Sequence, residues 1–480
     1  MVTEPLENKI EIKIPMKSVI STLFILGILV ILAGASTHFI PAGKYMTVTK
    51  GDTVVKVYQL VDPAPVPVWK IPLAPLLAVT GKNGPKIIVV VAFILILGGA
   101  FSVLIKTGVV NEILARLEHS FGERKTLLLV ACAFTCAFLS STFGMMEEFL
   151  PVLIIFVPFA IRMGWDEITG FAIVLLMVGF GFAAATFNPF TIGVAQTLAD
   201  VQLFSGLGLR VLLFVTIISI SILYILRYAR KVEKDPTASL MYREGRRKEA
   251  VPSSMLKINQ VENAKAIIIL ILACFGLIAT AVGVGTQIKI IGDLIMIIML
   301  LIFIIMGFGA GLLSGAGIGN VFRYFGKGLG DFSAAIPVVM FAFSVSYLVE
   351  VGLVMDTILY TIANLLEGFG QHGGAVILFF SQMAINFFVP SGSGQAALTI
   401  PILAPLGDLI GVSRQTVILA YQMGDGFSNM LWPTNPFLII GLGFAGIRYT
   451  TWLRWSLPIH LTVMAVCIGF LYIAVSIGYK

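Results

Sequence analysis

Two stretches of this chain set acids, hydroxyls and glycines inside otherwise apolar sequence. The first reads Ser140-Ser141-Thr142-Phe143-Gly144-Met145-Met146-Glu147-Glu148. Ser141 and Thr142 offer hydroxyls, and Gly144 is a position without a side chain. Glu147 and Glu148 are carboxylates that, at membrane depth, need a cation, a proton or a basic partner. The second stretch reads Pro390-Ser391-Gly392-Ser393-Gly394-Gln395. Its small residues allow close backbone approach to a ligand, Ser391 and Ser393 bring hydroxyls, and Gln395 both donates and accepts. A further acid, Asp425, lies within the apolar run Gly424-Asp425-Gly426-Phe427-Ser428-Asn429 and suggests a substrate or coupling role, with Asn429 one turn beyond. Together these groups can replace the hydration shell of an ion or a small polar substrate.

Catalytic alternatives fail for want of partners. Gly328-Leu329-Gly330-Asp331 spells the Gly-x-Gly-Asp of intramembrane aspartyl proteases, but the chain contains no Tyr-Asp to complete a carboxylate dyad. It has no His-Glu-x-x-His and no Gly-Lys-Ser/Thr phosphate loop. His38 and His460 have no ligand-spaced companions, and Cys132, Cys136, Cys274 and Cys467 all lie in apolar helical runs, as buried thiols do. No enzyme activity and no cofactor are expected, only Na+ or H+ as a coupling ion.

The elements that must hold these residues are membrane helices. Of 480 residues, 58% are hydrophobic and only 12% charged, about half the charged share of a soluble domain. Apolar runs predict full spans near 18–40, 86–106, 203–227, 264–284, 290–312, 333–349 and 450–477. The first exceeds a signal-peptide core and lacks a convincing cleavage site, so it reads as a helix. Segments 125–162 and 374–410 are apolar with polar centres, as expected of re-entrant hairpins made of two half-helices. Segments 167–200 and 414–446 are interrupted by Asn-Pro and read as broken helices.

Charge orients this arrangement in a cell (inner or plasma) membrane. The loop 228–263 is rich in Lys and Arg and is placed in the cytoplasm. Stretch 350–373 holds no Lys or Arg and falls outside, while 313–331 reads as an inner loop. The 41–86 loop fits poorly, since it is placed outside yet contains six lysines. Nine crossings then put the N-terminus inside and the C-terminus outside. The net charge of +7 reflects these basic loops and gives no reason to expect nucleic acid.

Adding 247 to positions in the first half gives a gap-free match with the second: Pro158 meets Pro405, Gly164 meets Gly411, Gly179-Phe180 meets Gly426-Phe427, and Asn188-Pro189-Phe190 meets Asn435-Pro436-Phe437. Coincident helix breakers carry the match, because coincident Ile or Phe means little here. The chain thus divides into a first repeat at 1–227, a basic loop at 228–263, a linking helix at 264–284 and a second repeat at 285–480. The extra helix gives the repeats opposite orientations, the architecture of secondary transporters. At the breaks, Asn188-Pro189 and Thr434-Asn435-Pro436 free carbonyls that can coordinate Na+ or substrate. A channel, usually built from subunit-repeated pore helices, is the rival reading.

The run from Asn386 through Ser391-Gly392-Ser393-Gly394-Gln395-Ala396-Ala397-Leu398-Thr399 to Asp408, with Gly424-Asp425-Gly426-Phe427-Ser428 and Phe143-Gly144 before Glu147-Glu148, resembles the signature of the YfcC family. The resemblance covers nearly the whole chain and departs from the family pattern at Met146, where a Gly is expected. That family is similar to anaerobic C4-dicarboxylate carriers and arginine/ornithine antiporters, within the ion transporter superfamily. The resemblance implies a homodimer in the lipid bilayer working by an elevator-type mechanism. It also implies that Ser141, Thr142, Ser391 and Ser393 hold substrate and Na+ with Asn188 and Asn435. The expected fold is an all-α polytopic membrane protein of two inverted repeats with paired hairpins and broken helices. The expected function is secondary active transport of small organic ions, most naturally basic amino acids, because Glu147, Glu148 and Asp425 are expected near the midplane and neither tip holds a Lys or Arg. Na+-coupled transport of C4-dicarboxylates or small peptides is the alternative.

Overall fold

The computed structural model describes residues 16–50, 53–121, 124–243, 265, 267–269, 271–272, 276, 289–366 and 368–480. Most of the expected linking helix 264–284 and residues 244–263 of the basic loop lie outside that set. The chain is an all-α polytopic membrane protein. Its long apolar runs become α1 (Met16–Phe39), α3 (Gly84–Lys106), α5 (Lys125–Phe143), α9 (Leu207–Lys234), α11 (Lys289–Leu313), α13 (Ala335–Val351) and α19 (Tyr449–Ser476). Helices are the natural solution, since a spanning segment must satisfy its own backbone groups.

Between these lie shorter helices: α2 (Ala74–Thr80), α4 (Val109–Phe121), α6 (Leu150–Arg162), α7 (Glu167–Ala183), α8 (Val194–Leu198), α10 (Leu240–Arg243), α12 (Ile318–Phe332), α14 (Met355–Leu366), α15 (Gln371–Phe388), α16 (Gly392–Leu409), α17 (Arg414–Ser428) and α18 (Pro436–Ala445). Two of them correct the sequence reading. The expected inner loop 313–331 is mostly α12, which bends by 43° into α13, and the expected outer stretch 350–373 contains α14. Their apolar residues recur only on one face, as at Ile318, Val321, Phe325 and Phe332, so no continuous apolar run announces them. The lysine-rich 41–86 segment folds as a β-hairpin, β1 (Gly43–Lys50) against β2 (Thr53–Leu60), followed by α2. The hairpin is pinned to α14, where Tyr45 N donates to Asp356 at 2.9 Å and Tyr58 stacks on Tyr360.

Two groups of helices emerge from the packing. In one, α1, α2, α3, α11, α12 and α13 pack on each other. In the other, α5 and α6 embrace α7, while α15 and α16 embrace α17, and α7 crosses α17. At that crossing a side chain on Gly426 would overlap Ala183 Cα, and Phe180 meets Phe427 edge-on with centroids 5.2 Å apart. The limbs differ from the half-helices expected: α5 has 19 residues and α15 and α16 have 18 each, or roughly 27–29 Å at 1.5 Å per residue. Limb length therefore does not set the depth of the tips. What sets it is the part of the bundle on which each tip docks.

Candidate functional site

The repeated Asn-Pro-Phe is a helix restart. In both copies the Asn side-chain oxygen accepts from the Phe amide two residues on, at 3.0 Å for Phe190 and 2.9 Å for Phe437. Asn is thus the N-cap, and proline takes the first helical position, where its missing N–H is no loss. The π-helical turn Pro189–Gly193 and α18 follow. Asn435 also donates to Asn429 Oδ1 at 2.6 Å, which accepts from Asn386 Nδ2 as well.

The first tip closes on the first break. Gly144 has φ +72°, and a Cβ there would overlap Asn188 Oδ1 and lie 2.7 Å from the Phe190 ring, so glycine is required twice over. The Ser141 carbonyl accepts from the amides of Thr186, Phe187 and Asn188 at 3.0, 3.3 and 3.2 Å. Ser141 Oγ donates to Ala184 O at 3.0 Å and accepts from Thr186 N at 3.0 Å. These are backbone groups that the break leaves without helical partners. Ser141→Ala removes these hydroxyl bonds, with the contact to Thr186 Oγ1 at 3.2 Å, and is expected to cost about 1–2 kcal/mol of stability, read as a lower melting midpoint of the detergent-solubilised protein. An affinity loss with an unchanged midpoint would instead make Ser141 a ligand.

The second tip is held differently. Gln395 is fully buried and donates to Gln382 O and Oε1 at 2.9 and 2.7 Å, tying the limbs α15 and α16 together. Tyr421 of α17 donates to Gly392 O at 2.7 Å. Asp425, also fully buried, lies beneath the tip, with Oδ2 3.4 Å from where a Gly392 Cβ would stand.

A cavity of about 300 Å³ opens between the two helix groups. That is the lower end of the volume of small-molecule sites. The structure brings Gly144, Glu147 and Glu148 of the first tip, Ser391, Gly392 and Ser393 of the second, and Asn429 and Asn435 to its wall. Ser141, Thr142, Asn188, Pro189, Gly394, Gln395, Asp425 and Thr434 do not line it. For Ser141 and Gln395 the reason is visible, because their polar atoms are turned into the packing described above. The two carboxylates differ: Glu148 accepts from Met146 N at 2.8 Å and so folds the tip, whereas Glu147 is exposed at the wall.

The residue that sequence reading missed is Lys86. It stands at the start of α3 and lines the cavity with Val90, Phe93 and Ile94, which share its helix face. It shares that cavity wall with Glu147 and Glu148 of the first tip. The only hint in the sequence was the excess of lysines in 41–86. The Phe of each Asn-Pro-Phe, Phe190 and Phe437, also lines the cavity.

Residues 16–476 match the family model described as the C4-dicarboxylate anaerobic carrier. YfcC of Escherichia coli K12, named provisionally as a basic amino acid antiporter, is 32% identical over 413 residues, covering 81% of this chain and 76% of that protein. An uncharacterized protein of Haemophilus influenzae is 27% identical over 398 residues, covering 81% and 75%. Among solved structures, the YdaH transporter of Alcanivorax borkumensis aligns over 95% of this chain and 99% of its own, at 17% identity and TM-score 0.45. Neisseria gonorrhoeae MtrF, described as illuminating a class of antimetabolite efflux pumps, aligns over 94% of each chain, at 15% identity and TM-score 0.44. With Lys86, Glu147 and the two Asn-Pro-Phe restarts around one cavity, this chain is a multi-pass membrane transporter and belongs to the C4-dicarboxylate anaerobic carrier (DcuC) family.

Proposed function

We propose that this protein is a secondary active transporter of basic amino acids of the arginine and ornithine type. The observation that carries this reading is the charge pattern of the cavity. Lys86 faces Glu147 and Glu148 across a space of small-molecule size, with Asp425 behind the second tip. An amino-acid carboxylate suits the lysine, and an ammonium or guanidinium suits the carboxylates. Two glutamates against one lysine at the cavity wall favour a ligand with net positive charge.

Lys86 also favours a second reading. It supplies the cationic partner that a C4-dicarboxylate needs, which the tips alone lack, and the family's description names such substrates. Proteoliposome exchange separates the two. Labelled arginine inside should leave in exchange for external ornithine or arginine and not for succinate. Exchange with succinate alone would assign the dicarboxylate role, and uptake that never saturates would indicate a channel.

An elevator-like alternation in the membrane fits the same geometry. One helix group contributes both tips and both restarts to the cavity, and the other contributes side chains from α3, α11 and α13, such as Lys86, Met299 and Phe343. Sliding the first group against the second would carry the tips with their ligand. The matched breaks support an inverted-repeat origin for that group.

A further inference from the structure

We propose that Asp425 is the proton-carrying group of this transporter and that its protonation lets a substrate carboxylate dock at the N-terminus of α16. This deepens the amino-acid reading above and rests on it for the identity of the carboxylate.

The inference starts from a carboxylate without partners. Asp425 is fully buried, and neither of its oxygens has a hydrogen-bond partner among the described residues. An isolated carboxylate in such surroundings is too costly to keep ionised, so it is protonated or holds a cation. Its neighbours distinguish the two. Around Gly392, the Asp425 Oδ2 atom shares the space with Thr191 Cγ2 and the Phe182 ring edge, which would lie 2.6 and 3.4 Å from a Cβ placed there. These two contacts are apolar and favour a neutral acid over a bare charge.

The second observation is the position of that acid. Ser391 is the N-cap of α16 and makes no side-chain capping bond, and the first-turn residues Gly392 and Ser393, whose amides lie too early in the helix for an intrahelical partner, line the cavity. A helix N-terminus attracts anions. Ionised, Asp425 would supply its own negative charge there and repel a second carboxylate. Protonated, it leaves the helix end to the substrate. One proton and one substrate carboxylate are then taken up together and released together, with no bond made or broken except the O–H of the acid. Other titratable or charged groups around this point are Lys86 on α3, Glu147 and Glu148 on the first tip, Tyr421 one turn back on α17, and His460 of α19, whose ring packs on Phe180 at the crossing.

Two measurements on the purified full-length chain test this. Infrared difference spectra taken as pH rises should show loss of a protonated-carboxyl C=O stretch in the wild type that is absent from Asp425→Asn. This needs no substrate and therefore stands whether or not arginine is transported. In binding assays the wild-type affinity for arginine should weaken by up to about tenfold per pH unit, while Asp425→Asn shows no pH slope. A band that persists in Asp425→Asn, a pH slope that survives in it, or wild-type binding that responds to Na+ and not to pH would overturn the proposal. Absence of arginine binding with the infrared band intact would instead sink the substrate reading alone.

Discussion

Replacing Lys86 by Met is expected to weaken arginine binding by roughly 10- to 150-fold. The range follows from the roughly 1.5–3 kcal/mol of a hydrogen bond to a charged group. Methionine keeps the apolar stem against Val90 and Phe93 and removes only the ammonium, so the loss reports on charge and not on packing. Arginine compared with agmatine, which lacks the carboxylate, sharpens the test. Wild-type protein should prefer arginine, and Lys86→Met should erase the preference by weakening arginine alone. Equal losses for both ligands would mean that Lys86 acts on the shape of the cavity, and a gain for agmatine with arginine unaffected would remove it from the site. Under the dicarboxylate reading the same variant should lose succinate binding instead.

A large stability effect is expected at Gly426. A methyl placed there would overlap Ala183 Cα and stand 2.5 Å from its Cβ and 3.0 Å from its backbone N. Two of those atoms belong to the α7 main chain, which cannot step aside without uncrossing the broken helices. Gly426→Ala is therefore expected at or beyond the upper end of the about 1–3 kcal/mol typical of overpacking. The readout is the melting midpoint of purified protein. Ala183→Gly should restore only part of it, because Ala183 Cα and N remain. Gly179, the repeat mate of Gly426, provides the contrast. Its added methyl would meet the Met430 side chain, with Sδ at 2.6 Å, and an unbranched thioether can turn away. Gly179→Ala should thus cost clearly less, although the two glycines are equivalent in sequence. Equal midpoints for the two variants would refute this account of the crossing.

The same pair shows how much the sequence disclosed. The offset of 247 links Gly179 to Gly426 and Asn188 to Asn435, and both asparagines take the same capping role. A helix break is a local event set by residue types within a few positions, so it is legible in one dimension. The tip glycine Gly144 and the apolar spans were legible for the same reason.

Roles that depend on which way a side chain turns were not. Ser141 and Gln395 looked like ligands, yet one satisfies the amides of the first break and the other binds Gln382 across the hairpin. The helices α12 and α14 escaped because amphipathic periodicity leaves no apolar run. Lys86 escaped because a lysine at the edge of a span reads as an interface residue. By itself, then, the sequence determined a membrane carrier with two hairpins and two broken helices, because helix breakers and apolar length act locally. Only the tertiary structure decided that Lys86 meets Glu147 over one cavity while Asp425 lies buried behind Gly392, without a hydrogen-bond partner among the described residues. Those residues are far apart in the chain, and only packing across the two helix groups brings their charges to one place.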